Sequence, residues 1–235
     1  MLKEILRGNH TYDKKIKRIL NPVDVTKLVN IEPVSNVFGF DRGKPVDRYY
    51  VEKFLSKHRN VIKGNVLEIG EATYSSKYAS KDSKLHVLTK DNPPTGVMLV
   101  DGDLTIPDSL PNNQIDCFIC TQTLNFIQDV RAAIEGCYSI LSDGGVLLAT
   151  VSGITQVSRY DMDRWGDYWR FTSLGIQRLF EEVFSKDHIT IEQYGNLATV
   201  IAELQGLCVE DLPDKSVLDK QELDYPLTIG IMAYK

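Results

Sequence analysis

Residues 158–172, which read SRYDMDRWGDYWRFT and are here named the acceptor segment, concentrate side chains that can do chemistry. They include both tryptophans of the chain, two tyrosines, three arginines and three aspartates. A carboxylate can take a proton from a hydroxyl, arginines bind phosphate or carboxylate groups, and aromatic faces suit sugar rings. The alternative is that the aromatic residues are core anchors with one polar end in water. The density of polar and aromatic residues favours a binding site for an acceptor substrate.

The three aspartates of this segment are the candidates for a general base. We expect Asp161 or Asp167 to take the proton of an acceptor hydroxyl, with Asp163 as a third candidate. Alternatively, the three carboxylates hold Mg²⁺, which prefers hard oxygen ligands. The arginines are expected to bind the acceptor. Without a metal, the predicted catalytic set consists of Asp161, Asp167, Arg164, Tyr160 and Arg170.

A second stretch with chemical content is VLEIGEATY, residues 66–74, which reads as the first strand of a nucleotide-binding fold and its loop. A dinucleotide site needs the pattern G-x-G-x-x-G, because the pyrophosphate approaches the backbone closely. Gly70 supplies only the first of these glycines, and Ala72 stands in the place of the second, where its Cβ crowds a phosphate. The pattern therefore favours a ligand without phosphates, such as S-adenosylmethionine (SAM).

The scaffold that positions these groups is visible in the alternation of strand-like and helix-like segments. Strands are predicted at 65–70, 85–89, 97–101, 115–120, 145–151, 188–194 and 227–234. Helices are predicted near 46–60, 128–141, 173–184 and 197–207. Such alternation indicates right-handed crossovers. We predict an α/β fold with a Rossmann-like, doubly wound, mostly parallel seven-stranded sheet, an antiparallel last strand and an N-terminal helical extension.

Residues 1–30 differ from the rest of the chain in their positive charge, with seven Lys and Arg against three Asp and Glu. Apolar residues recur there at rough helical spacing. This predicts a helix that packs on the main domain, or alternatively one that binds a membrane surface or a partner. We expect residues 1–45 to form a basic helical arm and a cofactor-covering loop, and residues 46–235 to form the main domain. The arm is also a plausible contact in a homo-oligomer.

Composition and charge argue against several classes of protein. Hydrophobic content of 43% and charged content of 25% are ordinary for a soluble globular chain. A net charge of −5 argues against a general nucleic-acid binder. No apolar run approaches the ~20 residues that span a bilayer, and the first residues lack a secretory apolar region, so we expect a cytoplasmic protein. Cys117 and Cys120 lack the second pair of a zinc site and are predicted to be buried thiols.

Three further motifs follow VLEIGEATY along the predicted sheet: 101–104 (DGDL), 121–124 (TQTL) and 143–145 (DGG). In order and spacing, the four motifs resemble those of the class I SAM-dependent methyltransferases. The resemblance covers roughly residues 60–235 and implies SAM as the cofactor, with a carboxylate of the 101–104 turn near the adenine amino group. The implied cofactor-binding residues are Arg48, Tyr49, Glu68, Gly70, Glu71, Ala72, Asp103, Leu104, Thr121 and Gln122.

The sequence departs from the family pattern in two places. The later glycines of the loop are missing, and strand 85–89 lacks the acid expected to bind the ribose, with Asp91 following two residues later. Glu68 occupies the position where an acid of the family arranges the cofactor loop, although it can also be purely structural. Arg42 or Arg48 is expected to pair with the carboxylate of SAM by charge-assisted hydrogen bonds.

Residues 38–50 and the acceptor segment together resemble methyltransferases found with bacterial polysaccharide biosynthesis. That resemblance implies methylation of a hydroxyl, on a sugar or a phosphate-type group, in a small-molecule or glycan-linked acceptor. It also implies a glycosyltransferase or another glycan-assembly enzyme as a partner. The competing interpretations are a catalytically silent SAM-binding partner in glycan assembly and an NAD-dependent sugar oxidoreductase.

Overall fold

Seven strands form one mixed sheet in the computed structural model, which describes residues 32–89 and 95–235. The strands are β1 Asn65–Ile69, β2 Lys84–Leu88, β3 Met98–Val100, β4 Ile115–Thr121, β5 Leu141–Ser152, β6 Ile189–Tyr194 and β7 Thr228–Tyr234. Their order across the sheet is β3-β2-β1-β4-β5-β7-β6. Strands β1 to β5 pair in parallel, and β7 lies antiparallel between β5 and β6. The predicted sheet and its antiparallel last strand are confirmed.

Four of the α-helices in the described residues lie in predicted helical segments, and two short ones, one after β1 and one after β5, come in addition. The helices are α1 Val46–Lys57, α2 Thr73–Tyr78, α3 Val130–Ile140, α4 Arg159–Met162, α5 Ser173–Glu181 and α6 Leu197–Leu204. Capping side chains explain where three of them begin, because a side-chain oxygen accepts a hydrogen bond from a backbone N–H that the helix leaves free. Asp129 caps α3, Thr172 caps α5, and Asn196 forms a reciprocal capping box at α6.

The continuous apolar run of β4 is typical of a strand buried on both faces. Cys117 and Ile119 join the apolar cluster that packs α1 and α2 on one face, and Phe118 and Cys120 join the cluster that packs α3 and α5 on the other. The prediction that both thiols are buried is confirmed. Burial raises the pKa of Cys117 to about 12, so its thiol stays protonated and unreactive.

Residues 34–45 belong to the compact unit Val34–Lys235. Val34 N–H donates to the carbonyl of Gln205, and Arg42 forms an ion pair with Asp211 in which Nη2 and Oδ1 are 2.7 Å apart. Arg42 is therefore already paired, whereas the sequence left it as an alternative to Arg48. The predicted basic helix of residues 1–30 and Asp91 lie outside the described residues. In the described ranges, no helix is long and apolar enough to cross a membrane.

Candidate active site

Two neighbouring cavities lie where the parallel strands end, which is where ligands bind in open α/β sheets. The first, of about 310 Å³, adjoins the ends of β1, β4 and β5. The second, of about 420 Å³, adjoins the ends of β1, β2 and β3. Both cavities are lined by Ile69, Gly70 and Phe126, so the turn that contains Gly70 lies between the two cavities.

Most of the predicted cofactor residues meet at these cavities. Arg48, Glu68, Gly70, Glu71, Thr121 and Gln122 line the first. Gly70, Asp103 and Leu104 line the second. Two predicted residues line neither. Tyr49 packs edge-on against Tyr50, with ring centroids 5.5 Å apart, and Ala72 is buried just before α2.

The turn after β1 explains how a single glycine suffices. Gly70 has φ +82°, a conformation that other residues adopt only with strain, and its N–H donates to Leu88 O at 3.0 Å. Residues 71–73 all have negative φ, so they need no glycine. A Cβ added at Gly70 would meet no atom within 4 Å, which leaves open space above the turn for a ligand.

Glu68 holds this turn from below. Its carboxylate is buried and accepts hydrogen bonds from the backbone N–H of Tyr74 at 3.0 Å and of Ser75 at 2.7 Å. These N–H groups belong to the first turn of α2, where a carboxylate is favourable. Burial nevertheless raises the pKa of Glu68 above its ordinary value. The acid in β1 therefore arranges the loop through the backbone of α2.

Arg48 presents a positive charge to the first cavity. Its Nη1 donates to the Tyr74 hydroxyl at 3.0 Å, and its guanidinium lies 5.2 Å from the ring centroid of Phe40. In the described part of the chain it forms no ion pair. Burial tends to lower the pKa of Arg48, but the neighbouring Tyr74, Asp47 and Glu71 raise it overall, so the group stays charged. It is free to bind an anionic group.

Two residues at the first cavity hold strained backbone conformations. Among the described residues, the non-glycine positions with positive φ are Phe38, Asn113 and Gln122, and two of these, Phe38 at +57° and Gln122 at +49°, line this cavity. The Gln122 Oε1 accepts from Ser152 Oγ at 2.8 Å, while its buried Nε2 has no hydrogen-bond partner among the described residues. Strain and an unsatisfied donor at the end of β4 are typical of a functional site.

The acceptor segment brings only some of its predicted residues to the first cavity. Asp161 lines it, and its Oδ2 accepts a hydrogen bond from Ser158 Oγ at 2.5 Å. Within the described residues, Asp161 Oδ1 has no hydrogen-bond partner. The side chains of Arg164 and Tyr160 line neither cavity; they stack on each other, with the guanidinium 3.4 Å from the ring centroid.

Asp167 and Arg170 also line the first cavity, but they are occupied with each other. Asp167 has a fully buried side chain and binds Arg170 through two contacts, of 2.6 and 2.8 Å, and also accepts from Ser158 N–H. Burial tends to raise the pKa of Asp167, but these hydrogen bonds lower it overall. Arg170 further donates to the carbonyls of Thr155 and Gln156. The prediction of Asp167 as a base and Arg170 as an acceptor ligand does not fit these contacts, because both groups serve as a tether.

The magnesium alternative also finds no support in the geometry. No three His, Cys, Asp or Glu side chains of the described ranges come together as a metal site requires. Asp163 is exposed and pairs with Arg159 at 3.3 Å.

Comparison with known proteins identifies the class to which this architecture belongs. Residues 60–149 match the family model of the methyltransferase domain. Over these residues the chain is therefore similar to methyltransferase domains. SAM is accordingly its cofactor. Among curated proteins, none matches the sequence significantly.

Solved structures share the fold of this methyltransferase domain at low sequence identity. A SAM-dependent methyltransferase from Archaeoglobus fulgidus has 15% identity and a TM-score of 0.51, covering 80% of this chain and 94% of its own. One from Mesorhizobium loti has 14% identity and a TM-score of 0.51, covering 81% and 98%. The [4+2]-cyclase SpnF has 13% identity and a TM-score of 0.52, covering 90% and 93%. These likenesses concern the fold.

Several residues at the site of this methyltransferase domain escaped the sequence analysis. Asp47 lines the first cavity, and its backbone N–H donates at 3.3 Å to the buried carboxylate of Glu203. Trp165 lines the second cavity. A lone acid in the apolar helix LATVIAEL was a detectable signal for Glu203. For Trp165 the sequence indicated a binding segment but not this cavity, because the cavity is formed by residues far away in the chain.

Proposed function

We propose that this protein transfers the methyl group of SAM to a hydroxyl oxygen of a sugar-type acceptor used in surface-polysaccharide synthesis. The observation that carries the proposal is the first cavity, where Arg48, which has no ion-pair partner among the described residues, and Asp161, which has one carboxylate oxygen without a hydrogen bond from them, flank the open Gly70 turn. The guanidinium of Arg48 can bind the carboxylate of SAM, and the carboxylate of Asp161 can take the proton of the acceptor hydroxyl.

The cofactor fits the residues that are present. SAM supplies a methyl group activated by a sulfonium. Arg48 binds its carboxylate, and the second cavity takes the adenine, near Asp103 and Leu104. The Gly70 turn leaves room for the ribose and amino-acid portion, and the unsatisfied Nε2 of Gln122 gives a donor that a polar ligand group can use.

Asp161 is the general base of the proposal. Ser158 holds one of its oxygens, which fixes the carboxylate and leaves the other for the acceptor hydroxyl. Alignment of bound reactants contributes up to ~7–11 kcal/mol in well-oriented systems, so a rigid pocket does most of the work. General-base assistance adds about 10²- to 10⁴-fold.

The sugar-type acceptor is supported by the resemblance of residues 38–50 and of the acceptor segment to polysaccharide-associated methyltransferases. The exposed aromatic side chains of Tyr160, Tyr168 and Trp169 lie on this segment, and such rings suit sugar faces. A glycosyltransferase or another glycan-assembly enzyme is the partner that this acceptor implies.

A catalytically silent SAM-binding protein is the second candidate. SpnF, a [4+2]-cyclase, has the same fold, so the fold alone does not determine that a methyl group is transferred. An NAD-dependent oxidoreductase is disfavoured by the turn after β1, which contains a single glycine. A dinucleotide site needs a second glycine there, because the pyrophosphate approaches the backbone closely.

The first experiment is calorimetric titration with SAM, S-adenosylhomocysteine (SAH) and NAD⁺ in parallel. We expect micromolar binding of the two adenosyl ligands and none of NAD⁺. Radiolabelled SAM is then offered with a panel of nucleotide sugars and oligosaccharides. SAM binding without a labelled product from the whole panel would favour the silent binder, and NAD⁺ binding alone would overturn the cofactor assignment.

Asp161→Asn tests the base, with Asp163→Asn as the matched control on the same segment. We expect Asp161→Asn to lose about 10²-fold or more of the turnover without a change in SAM affinity. Asp163→Asn removes an exposed carboxylate that lines neither cavity and should keep the wild-type rate. Equal rates for the two variants would refute the role of Asp161.

A further inference from the structure

We infer that Trp165 closes the adenine cavity and thereby couples the acceptor segment to the bound cofactor. This inference rests on the proposed placement of the adenine in the second cavity. It assigns a cofactor-binding role to the acceptor segment, which otherwise serves the acceptor alone.

The position of Trp165 is the first argument. The second cavity is built by residues at the ends of β1 to β4, such as Leu88, Leu104 and Ile127, and Trp165 is the one lining residue of the described chain that comes from beyond β5. Its side chain is 54% exposed, although an indole is among the largest apolar groups of a protein. The contact that an adenine ring offers is a flat aromatic face, which suits such an indole.

The backbone around Trp165 is held on both sides, which presents the indole at a defined place. Trp165 N–H and Gly166 N–H both donate to the carbonyl of Asp161, each at 3.0 Å. Gly166 has φ +99°, and a Cβ there would come within 2.4 Å of the Tyr168 ring, so only glycine allows this tight turn. The Tyr168 hydroxyl in turn donates to the carbonyl of Trp165 at 3.1 Å.

Beyond the turn, the segment is anchored to the chain that follows β4. The N–H groups of Tyr168 and Trp169 both donate to Asn125 O, at 2.9 and 3.1 Å. The Trp169 indole N–H donates to Ile127 O at 2.9 Å. Ile127 and Trp165 both line the second cavity, so a ligand in this cavity contacts the acceptor segment and also the chain to which the segment is anchored.

The coupling follows from the shared backbone. Asp161 lines the first cavity with its carboxylate and holds Trp165 with its carbonyl, so the two cavities are joined through one residue. A ligand that orders Trp165 therefore orders Asp161. By thermodynamic linkage, cofactor and acceptor then strengthen the binding of each other. The structure thus assigns a positive coupling between the two cavities, in which a bound cofactor strengthens the binding of the acceptor.

Because the chain has only two tryptophans, the proposal can be tested optically. Trp169→Phe leaves Trp165 as the sole tryptophan, and Trp165→Phe leaves Trp169, which lines neither cavity. We expect SAH to change the tryptophan fluorescence of Trp169→Phe strongly and that of Trp165→Phe only weakly. The reverse pattern would overturn the inference.

Affinity and amide exchange complete the test. Loss of one base-stacking ring in Trp165→Ala should weaken SAH binding about 5- to 150-fold. Trp165→Phe keeps an aromatic face and should stay within about 3-fold of the wild type. SAH should slow hydrogen exchange of peptides from residues 158–172 in the wild type and not in Trp165→Ala.

The failures of the two proposals are distinguishable. If the wild type binds no SAH, the cofactor assignment itself fails. If the wild type binds SAH while Trp165→Ala binds it equally well and shows the same protection of residues 158–172, only the role of Trp165 fails. Denaturant unfolding of each variant separates loss of folding from loss of binding.

Discussion

Arg48 differs from the other arginines near the pocket because no carboxylate of the described chain lies within ion-pair distance of it. Arg42 and Arg170, by contrast, are paired with Asp211 and Asp167. A free guanidinium beside the Gly70 turn can therefore give its full charge to a ligand. This difference predicts that a substitution of Arg48 weakens binding of the amino-acid end of SAM and leaves binding of its adenosine end unchanged.

Arg48→Met should weaken SAM binding about 10- to 150-fold, which corresponds to the loss of one hydrogen-bonded charge pair. Methylthioadenosine lacks the amino-acid carboxylate, so its affinity should not change. Arg42→Met is the matched control, since Arg42 lines neither cavity. Calorimetry measures the affinity of the wild type and of each variant for both ligands. An equal loss for SAM and methylthioadenosine would contradict a contact with the carboxylate.

Glu203 is a buried acid that forms no ion pair among the described residues. Within the described part of the chain, it accepts hydrogen bonds from the Thr155 hydroxyl and the Asp47 N–H, both at 3.3 Å. Burial, and then the charge of Asp47, raise the pKa of Glu203 well above its ordinary 4.5. The folded protein therefore holds this proton more tightly than the unfolded chain. The stability that Glu203 contributes is complete below the unfolded pKa and is lost as the pH rises through the folded pKa.

Glu203→Gln should remove this dependence, because the amide keeps the size of the side chain and has no charge. We expect the free energy of unfolding of the wild type to fall relative to that of the variant as the pH rises above the ordinary glutamate pKa of 4.5. Urea titrations at several pH values measure it. Asp224→Asn, at an exposed acid, is the control and should leave the pH profile unchanged. Parallel profiles for Glu203→Gln and the wild type would show that Glu203 is ionised in the folded state.

The site depends on the acceptor segment, in which only the short helix α4, Arg159–Met162, is regular secondary structure. Its shape depends on the Asp167–Arg170 pair, which ties the segment to the carbonyls that follow β5. The side chain of Asp167 is 0% exposed, whereas that of Asp163 is 60% exposed, so the two acids form a matched pair for mutation.

Asp167→Asn should lower the free energy of unfolding by about 1.5–3 kcal/mol, since a buried, charged acceptor of several hydrogen bonds is lost. Asp163→Asn should change it by less than about 0.5 kcal/mol, because exposed ion pairs contribute little. Urea unfolding at neutral pH compares them. Similar losses in both variants would mean that the pair does not hold the segment.

At the scale of the whole molecule, cofactor binding should stabilise the compact unit Val34–Lys235 as one body, because the cavities collect residues from four strands and the segments that follow them. A ligand at 100 times its Kd adds about 2.7 kcal/mol. For a domain of this size, that raises Tm by about 5–10 °C. SAH should give this shift in a thermal scan, and NAD⁺ at the same concentration should give none.

The elements were largely predictable because their signals are local. Strands buried on both faces read as apolar runs, and helix caps such as Asp129 and Asn196 stand directly before their helices. One boundary differs. The turn residues 143–145 predicted that the fifth strand starts at 145, but β5 begins at Leu141. An irregularity in the pairing with β4 between Ile115 and Cys117 accommodates the turn residues within the strand.

The sequence by itself determined the α/β alternation, the Gly70 turn and the choice of a phosphate-free cofactor, because each depends on neighbouring residues. Only the tertiary structure decided which of three aspartates in one segment faces the cavity and which is tied to Arg170. It also decided that Trp165 reaches the end of β3 and that Asp47 meets Glu203. These contacts join residues far apart in the chain, and packing of the sheet and its helices sets them, whereas the periodicity of a sequence reports only what lies within a few turns.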